Sequence, residues 1–112
     1  MKATLEILAL ERQTTLLRLA TLTDDFDKLL AASDGSNADD EHDPEGATIA
    51  YERSQLDEFT QQARADLVAI DAALARLARG TYGTCEACKQ PIPTERLQAR
   101  PTALTCVACP PR

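Results

Sequence analysis

The sequence predicts a mostly α-helical protein: a long antiparallel coiled-coil hairpin followed by a small C-terminal four-cysteine zinc finger. Three observations support this fold class. Two long segments rich in helix-forming residues carry apolar residues at spacings of three and four. A polar, acidic stretch separates these segments, and two CxxC pairs close the chain of 112 residues. The predicted domains are a hairpin over residues 1–80 and a zinc-finger module over residues 81–112.

The first helix is predicted over residues 3–32, a segment that neither Pro nor Gly interrupts. Its apolar stripe follows a three-and-four grid on which Arg12 and Thr15 occupy the polar positions. The apolar members of the grid are Leu5, Leu8, Leu19, Leu22, Phe26 and Leu29. Gly35 can supply a left-handed cap just beyond this helix, so a tip loop is predicted over residues 33–43.

The second helix is predicted over residues 43–79. Asp43 suits the N-cap, Pro44 the first helical position and Gly80 the position just after the last turn. Its apolar stripe contains Leu56, Phe59, Ala63, Leu67, Ile70, Leu74 and Leu77. When two such stripes face each other in a hairpin, their members are buried. We therefore expect buried side chains between the two arms at Leu22, Phe26, Phe59 and Leu67.

Two CxxC pairs near the end of the chain predict a metal site. The chain has four cysteines, in the order Cys-x2-Cys-x17-Cys-x2-Cys: Cys85, Cys88, Cys106 and Cys109. Four thiolates at this spacing can converge on one tetrahedral Zn²⁺ at about 2.3 Å each. A redox pair would require one CxxC beside a βαβ pattern, and two disulfides would require a secreted chain. We predict one structural zinc with no open position for catalysis.

Charge is unevenly distributed along a chain whose net charge is −6. Residues 33–45 hold six acids and no Lys or Arg, whereas residues 76–112 hold six basic residues against two acids. Most of the surface would therefore repel bare nucleic acid, which disfavours direct DNA binding. No segment approaches 18 uninterrupted apolar residues, and the N-terminus lacks a secretory signal pattern. We expect a cytoplasmic protein without a membrane span.

The sequence lacks the residue sets that enzymes use. His42 is the single histidine, and it has no nearby Cys or Ser nucleophile. No Gly-rich phosphate-binding loop is present, and a hairpin tip offers no pocket for paired carboxylates. We therefore expect that this protein is not an enzyme.

Residues 80–109 resemble the zinc finger of the DksA/TraR family. The shared elements are Tyr-Gly-x-Cys-x-x-Cys at 82–88, Ile92, Arg96-Leu97, Ala99-Arg100-Pro101 and the closing Cys-x-x-Cys. The upstream hairpin with an acidic tip is also similar to the family's architecture. Members of this family are bacterial regulators that bind RNA polymerase without binding DNA. They insert the hairpin into the secondary channel, so that the tip acids approach the active centre and alter open-complex stability.

The resemblance implies a tip that acts at the polymerase active site. Its candidate residues are Asp39, Asp40, Glu41, Asp43, Glu45 and Ala47. The family pattern is Asp-x-x-Asp-x-Ala, and an ungapped count back from Cys85 places His42, Glu45 and Ala47 on its three positions. A shift by one residue puts Asp43 on the first acid and loses the second. The alternative interpretation is a solvated loop that only keeps the protein soluble.

The resemblance also implies a role for the zinc-finger module, the head of the molecule. Arg96 and Arg100 are the predicted head contacts to the partner. Some family members act together with the alarmone ppGpp, and Arg100 matches one of their basic positions. Ala69 and Pro110 stand where those members carry other basic residues, so ppGpp binding is disfavoured.

The function that the sequence favours is a transcription regulator that binds RNA polymerase at the secondary channel and modulates initiation. One alternative is an adaptor whose zinc head binds another protein while the acidic tip is inert. A less favoured alternative is a zinc-dependent nucleic-acid binder that uses Lys89, Arg96 and Arg100, whose binding would weaken steeply with salt.

Overall fold

A computed structural model describes residues 2–34 and 44–110 of the chain. Three helices are formed: α1 (Lys2–Asp34), α2 (Pro44–Arg79) and the short α3 (Thr94–Ala99). Within the described residues there is no strand, and the extended pairing is an isolated antiparallel bridge between Thr84 and Pro91. The predicted mostly α fold class is confirmed.

The sequence explains where α2 begins and ends. Pro44 is the first residue of α2, a position where its missing N–H removes no helical hydrogen bond. At the other end Gly80 adopts a left-handed φ of 77°. The Gly80 N–H donates to Leu77 O at 3.3 Å, and the Thr81 N–H donates to Arg76 O at 2.9 Å. These two bonds form a Schellman motif, which satisfies carbonyls that the end of a helix leaves free.

The chain divides into two compact units. The zinc unit consists of Met1–Gln13 and Leu67–Arg112, and the stem unit consists of Thr14–Asp66. Each of the two long helices contributes to both units.

In the zinc unit, the first turns of α1 pack against the last turns of α2. Leu8, Ile70 and Ala73 are buried there. Arg12 Nε donates to Asp71 Oδ1 at 2.7 Å in an exposed ion pair. Leu5, which the sequence placed on the apolar stripe, is 49% exposed, so the buried face of α1 begins one turn later than predicted.

In the stem unit, the two helices run antiparallel along a narrow seam. Leu22 and Ala63 are buried there, and the polar Thr15 is also buried, at 5% exposure. Arg18 lies 3.9 Å from Asp66, and the Arg53 guanidinium lies 5.7 Å from the centre of the Phe26 ring. Residues later in α1 thus contact residues earlier in α2, so the two helices are antiparallel.

The prediction that Phe59 is buried between the arms is wrong. Its side chain is 55% exposed, and the half-buried Thr60 takes the seam position instead. A strict alternation of three and four runs through Leu56, Thr60, Ala63 and Leu67, whereas Phe59 requires two successive steps of four. The Thr60 hydroxyl donates back to Leu56 O at 2.8 Å, so it can sit in the seam without an unpaired donor.

The other seam predictions have mixed outcomes. Leu22 is buried as expected, while Phe26 and Leu67 are half-buried rather than enclosed. The helix seam within each unit is therefore shallow, which suits a chain with few aromatic residues and many alanines.

Candidate functional site

The four cysteines come together in the zinc unit. Their Sγ atoms all lie within 4.8 Å of one another. The Sγ atoms of Cys88 and Cys106 are 3.8 Å apart, and those of Cys106 and Cys109 are 3.5 Å apart. A tetrahedron with metal–sulfur bonds of about 2.3 Å has edges of about 3.8 Å. The cluster therefore has the size that Zn²⁺ requires.

A tight loop presents the first cysteine pair. The Cys85 N–H donates to Gln90 O at 2.9 Å, the Lys89 N–H donates to Cys85 O at 2.9 Å, and the Ile92 N–H donates to Gly83 O at 2.7 Å. Gly83 and Lys89 have left-handed φ values of 85° and 64°. Glycine adopts this conformation freely, whereas lysine adopts it at a cost, so the loop is held by its hydrogen bonds and by the metal.

A second loop presents Cys106 and Cys109, and three hydrogen bonds tie it to the rest of the module. The Glu86 N–H donates to Leu104 O at 2.9 Å, which joins the two cysteine loops directly. Arg96 Nε, on α3, donates to the carbonyl of the buried Thr105 at 2.8 Å. The Tyr82 hydroxyl donates to Pro101 O at 2.8 Å. These bonds fix the distance between the two pairs of thiols.

The electrostatics of the cluster shift the pKa values of its thiols in opposite directions. Hydrogen bonds from the backbone N–H groups of Cys88 and Cys106 lower the pKa of Cys85 to about 6. The Cys88 N–H lies 3.5 Å from Cys85 Sγ. A hydrogen bond with the Cys106 thiol raises the pKa of Cys109 to about 12. Without metal, the cluster thus shares its protons unevenly, and a divalent cation takes their place when it binds.

The donor set fits a structural zinc. Four thiolates complete a tetrahedral shell, so no coordination position remains for an activated water. Cys85 is fully buried, while Cys88 is exposed at the edge of the module. Ile92 and Thr105 are also buried, which gives the module a small interior beside the metal.

The predicted head contacts lie at different places. Arg96 is half-buried, and its guanidinium is engaged with Thr105 O. Arg100 is exposed, and its backbone N–H closes α3 by donating to Arg96 O at 2.7 Å. Contact of these two residues with a partner stays a prediction.

The predicted tip falls largely outside the described residues. Asp39, Asp40, Glu41 and Asp43 lie there, as do His42 and the side chain of Glu45. Ala47 lies on the first turns of α2 and is exposed. The role of the tip acids stays a prediction.

Sequence reasoning missed the hydrogen bonds that brace the module. Tyr82 lies in the turn before the first cysteine, and its partial burial raises the pKa of its hydroxyl while that hydroxyl donates to Pro101 O. An aromatic residue with a polar end near a metal loop is a usable signal, because a buried Tyr hydroxyl usually finds a partner. The Arg96 bond to a backbone carbonyl has no comparable sequence signature.

Within residues 2–34 and 44–110, no helix combines the length and apolarity needed to cross a membrane.

Comparison with protein families agrees with the geometry of the site. Residues 80–109 match the prokaryotic dksA/traR C4-type zinc finger. This range contains both cysteine pairs, so zinc is the metal that the four thiolates hold.

Two solved structures are similar to nearly the whole chain. One is the transcription factor DksA2 from Pseudomonas aeruginosa, with a TM-score of 0.81 and 27% identity over 96% of this chain and 77% of that one. The other is the DnaK suppressor protein from Agrobacterium tumefaciens, with a TM-score of 0.59 and 36% identity over 96% of this chain and 88% of that one.

A protein of Aquifex aeolicus is 39% identical over 61 residues, which is 54% of this chain. The match spans 42% of the length of that relative.

Proposed function

We propose that this chain, which belongs to the DksA/TraR family, regulates transcription initiation by binding RNA polymerase at the secondary channel. The family relationship makes the chain a DksA/TraR-type regulator. One observation gives the main support for polymerase as the partner. A four-thiolate head and a two-helix stem match the fold of a transcription factor over 96% of the chain.

In this proposal the zinc unit acts as the fixed head of the regulator. Zinc holds the two cysteine loops in one shape, and the bonds made by Tyr82 and Arg96 stabilise that shape. Arg100 is exposed beside this module and supplies a cation for contact with the polymerase. In this proposal the chain catalyses no reaction, so its effect on initiation depends on where its charged side chains lie in the complex with polymerase.

The charges delivered are those of the tip, from Asp39 to Glu45. Carboxylates near the catalytic centre would perturb its Mg²⁺-associated or basic groups, and electrostatic effects there exceed those at a free surface. Direct DNA binding contributes little, because the net charge of −6 opposes it and Arg96 is already engaged within the head. A polymerase partner implies a cytoplasmic protein, and ppGpp binding is disfavoured because Ala69 and Pro110 stand at two of the basic positions.

Co-purification with core RNA polymerase tests the binding step. We expect the zinc-loaded protein to bind core polymerase and to show no comparable affinity for naked duplex DNA at the same salt concentration. Binding to some other protein, with none to polymerase, would favour the adaptor interpretation. Steeply salt-dependent binding to duplex DNA would favour a nucleic-acid binder.

In vitro transcription tests the role of the tip. Asp43→Asn/Glu45→Gln should leave polymerase binding intact and abolish the effect on initiation. The control Glu6→Gln/Asp27→Asn removes the same two charges from exposed positions on α1 and should behave as wild type. If the neutralised tip and the wild type act identically while both are bound, the tip acids have no regulatory role.

A further inference from the structure

An apolar groove opens on one face of the stem unit, around the exposed Phe59. It encloses about 450 Å³ between α1 and α2. Leu29, Leu56 and Phe59 are its large apolar lining residues. A phenylalanine that is 55% exposed beside two half-buried leucines forms a continuous apolar surface, and such surfaces mark binding sites more often than isolated apolar residues do.

The rim of this groove is acidic. Asp25, Lys28 and Glu52 line it; Lys28 Nζ lies 3.0 Å from Asp24 Oδ2 in an exposed pair, and the Lys28 charge also attracts Asp25. Glu52 forms no ion pair within the part of the chain that the structure describes. The lining of the groove therefore carries two carboxylates against one cation, beside apolar side chains.

The neighbouring polar groups do not change this balance. Arg53, the cation next to Glu52 in the chain, lies over the Phe26 ring at 5.7 Å and does not line the groove. Beyond Phe59 on α2, Gln61 donates to Asp57 at 3.1 Å within the same helix. Glu58 lies beside this surface, and it too forms no ion pair with a described residue.

We infer that this groove binds a basic segment of RNA polymerase that carries an apolar side chain flanked by Lys or Arg. The apolar side chain would cover Phe59, and the basic residues would lie against Glu52 and Asp25. Charge complementarity selects this occupant, because the two rim carboxylates outnumber the one lysine and therefore attract a basic segment and repel an acidic one. The inference rests on the proposed function and adds the side of the stem that contacts the polymerase.

Equilibrium binding to core RNA polymerase, measured with the full zinc-loaded chain, tests the inference. Phe59→Gln removes the aromatic ring and keeps a helix-forming residue, and we expect binding at least about tenfold weaker. The matched control Val68→Gln alters a residue on α2 that is 70% exposed and outside the groove. It should bind as wild type does.

A charge-reversal pair tests the rim independently. Glu52→Lys should weaken binding about fivefold to tenfold, with a larger effect at low salt. Asp27→Lys makes the same charge change at an exposed position of α1 outside the groove and should have a much smaller effect. Thermal unfolding by circular dichroism confirms that each variant is folded.

The outcomes separate the inference from the function on which it rests. If wild type binds the polymerase and the groove variants bind equally well, the groove inference is overturned and the proposed function stands. If wild type does not bind at all, the proposed function fails and the inference fails with it. Equal weakening by Glu52→Lys and Asp27→Lys indicates a general charge effect and also overturns the groove.

Discussion

The zinc unit and the stem unit are held together by different kinds of interaction. In the zinc unit, four thiolates and short loop-to-loop hydrogen bonds set the shape of residues 80–109. In the stem unit, a shallow seam of half-buried side chains sets the shape, with Leu22 and Ala63 as its buried apolar members. Loss of one metal ligand should therefore be severe in the zinc unit, whereas loss of one of its hydrogen bonds should cost much less and the stem unit should tolerate most single changes.

Zinc removal is the most damaging way to test this contrast. Structural zinc contributes on the order of 10 kcal/mol to the folding of small domains, so Cys85→Ser or chelation should unfold the segment from Thr81 onward. Much of the helical signal of α1 and α2 should remain. Elemental analysis should give one zinc per chain, and hydrogen exchange should localise the loss of structure. A chain without metal whose Cys85 and Cys88 form a disulfide would contradict this prediction.

The helix contact of the zinc unit should be the next most sensitive. Leu8 has no exposed surface, so Leu8→Ala should lower the free energy of unfolding by about 2–5 kcal/mol. Leu10→Ala, two residues away and 66% exposed, is the matched control and should cost less than about 1 kcal/mol. Chemical denaturation measures both. Equal costs would mean that the buried face of α1 has been assigned wrongly.

A stabilising substitution tests the seam of the stem unit. Thr60→Leu should raise the free energy of unfolding by about 1 kcal/mol, because it adds apolar contact in the seam and a better helix former. The same substitution at the exposed Thr21 of α1 isolates the contribution of helix propensity. If Thr60→Leu destabilises the protein, the seam does not run through that position.

The hydrogen bond of Tyr82 should give the smallest effect. Tyr82→Phe removes the donor to Pro101 O and should cost about 0.5–1.5 kcal/mol. Tyr51→Phe is the control, since Tyr51 is 64% exposed and its hydroxyl accepts a hydrogen bond from its helix neighbour Gln55. A slower loss of zinc from Tyr82→Phe than from wild type during a chelator challenge would count against a bracing role.

The two units also differ in how far the sequence predicts them. Spacing alone identified all four thiols of the metal site, because ligands on tight turns leave little freedom in sequence separation. On α1 the predicted stripe holds at Leu8, Thr15 and Leu22, which are buried, and fails at Leu5, which is exposed. On α2 apolar character favours Phe59 as the seam residue, whereas the strict alternation of three and four favours Thr60, which is the residue that lies in the seam.

The features that the sequence does not predict are contacts between segments that are distant along the chain. The bond from Arg96 to Thr105 O exists because α3 and the second cysteine loop meet, and no local pattern specifies that meeting. The exposed ring of Phe59 likewise becomes informative when the groove beside it is known. The spacing of the cysteines therefore predicts the zinc ligands, whereas the groove beside Phe59 is recognised only in the folded structure.

The Schellman motif at the end of α2 has a mechanical consequence. Gly80 and Thr81 are bonded to α2, Gly83 and Thr84 are already part of the first cysteine loop, and between them stands Tyr82, itself bonded to Pro101 O. Residues 80–84 are thus all held by hydrogen bonds or by the first cysteine loop, so this connection lacks a flexible hinge. A rotation of the cysteine loops would therefore also rotate the last turns of α2.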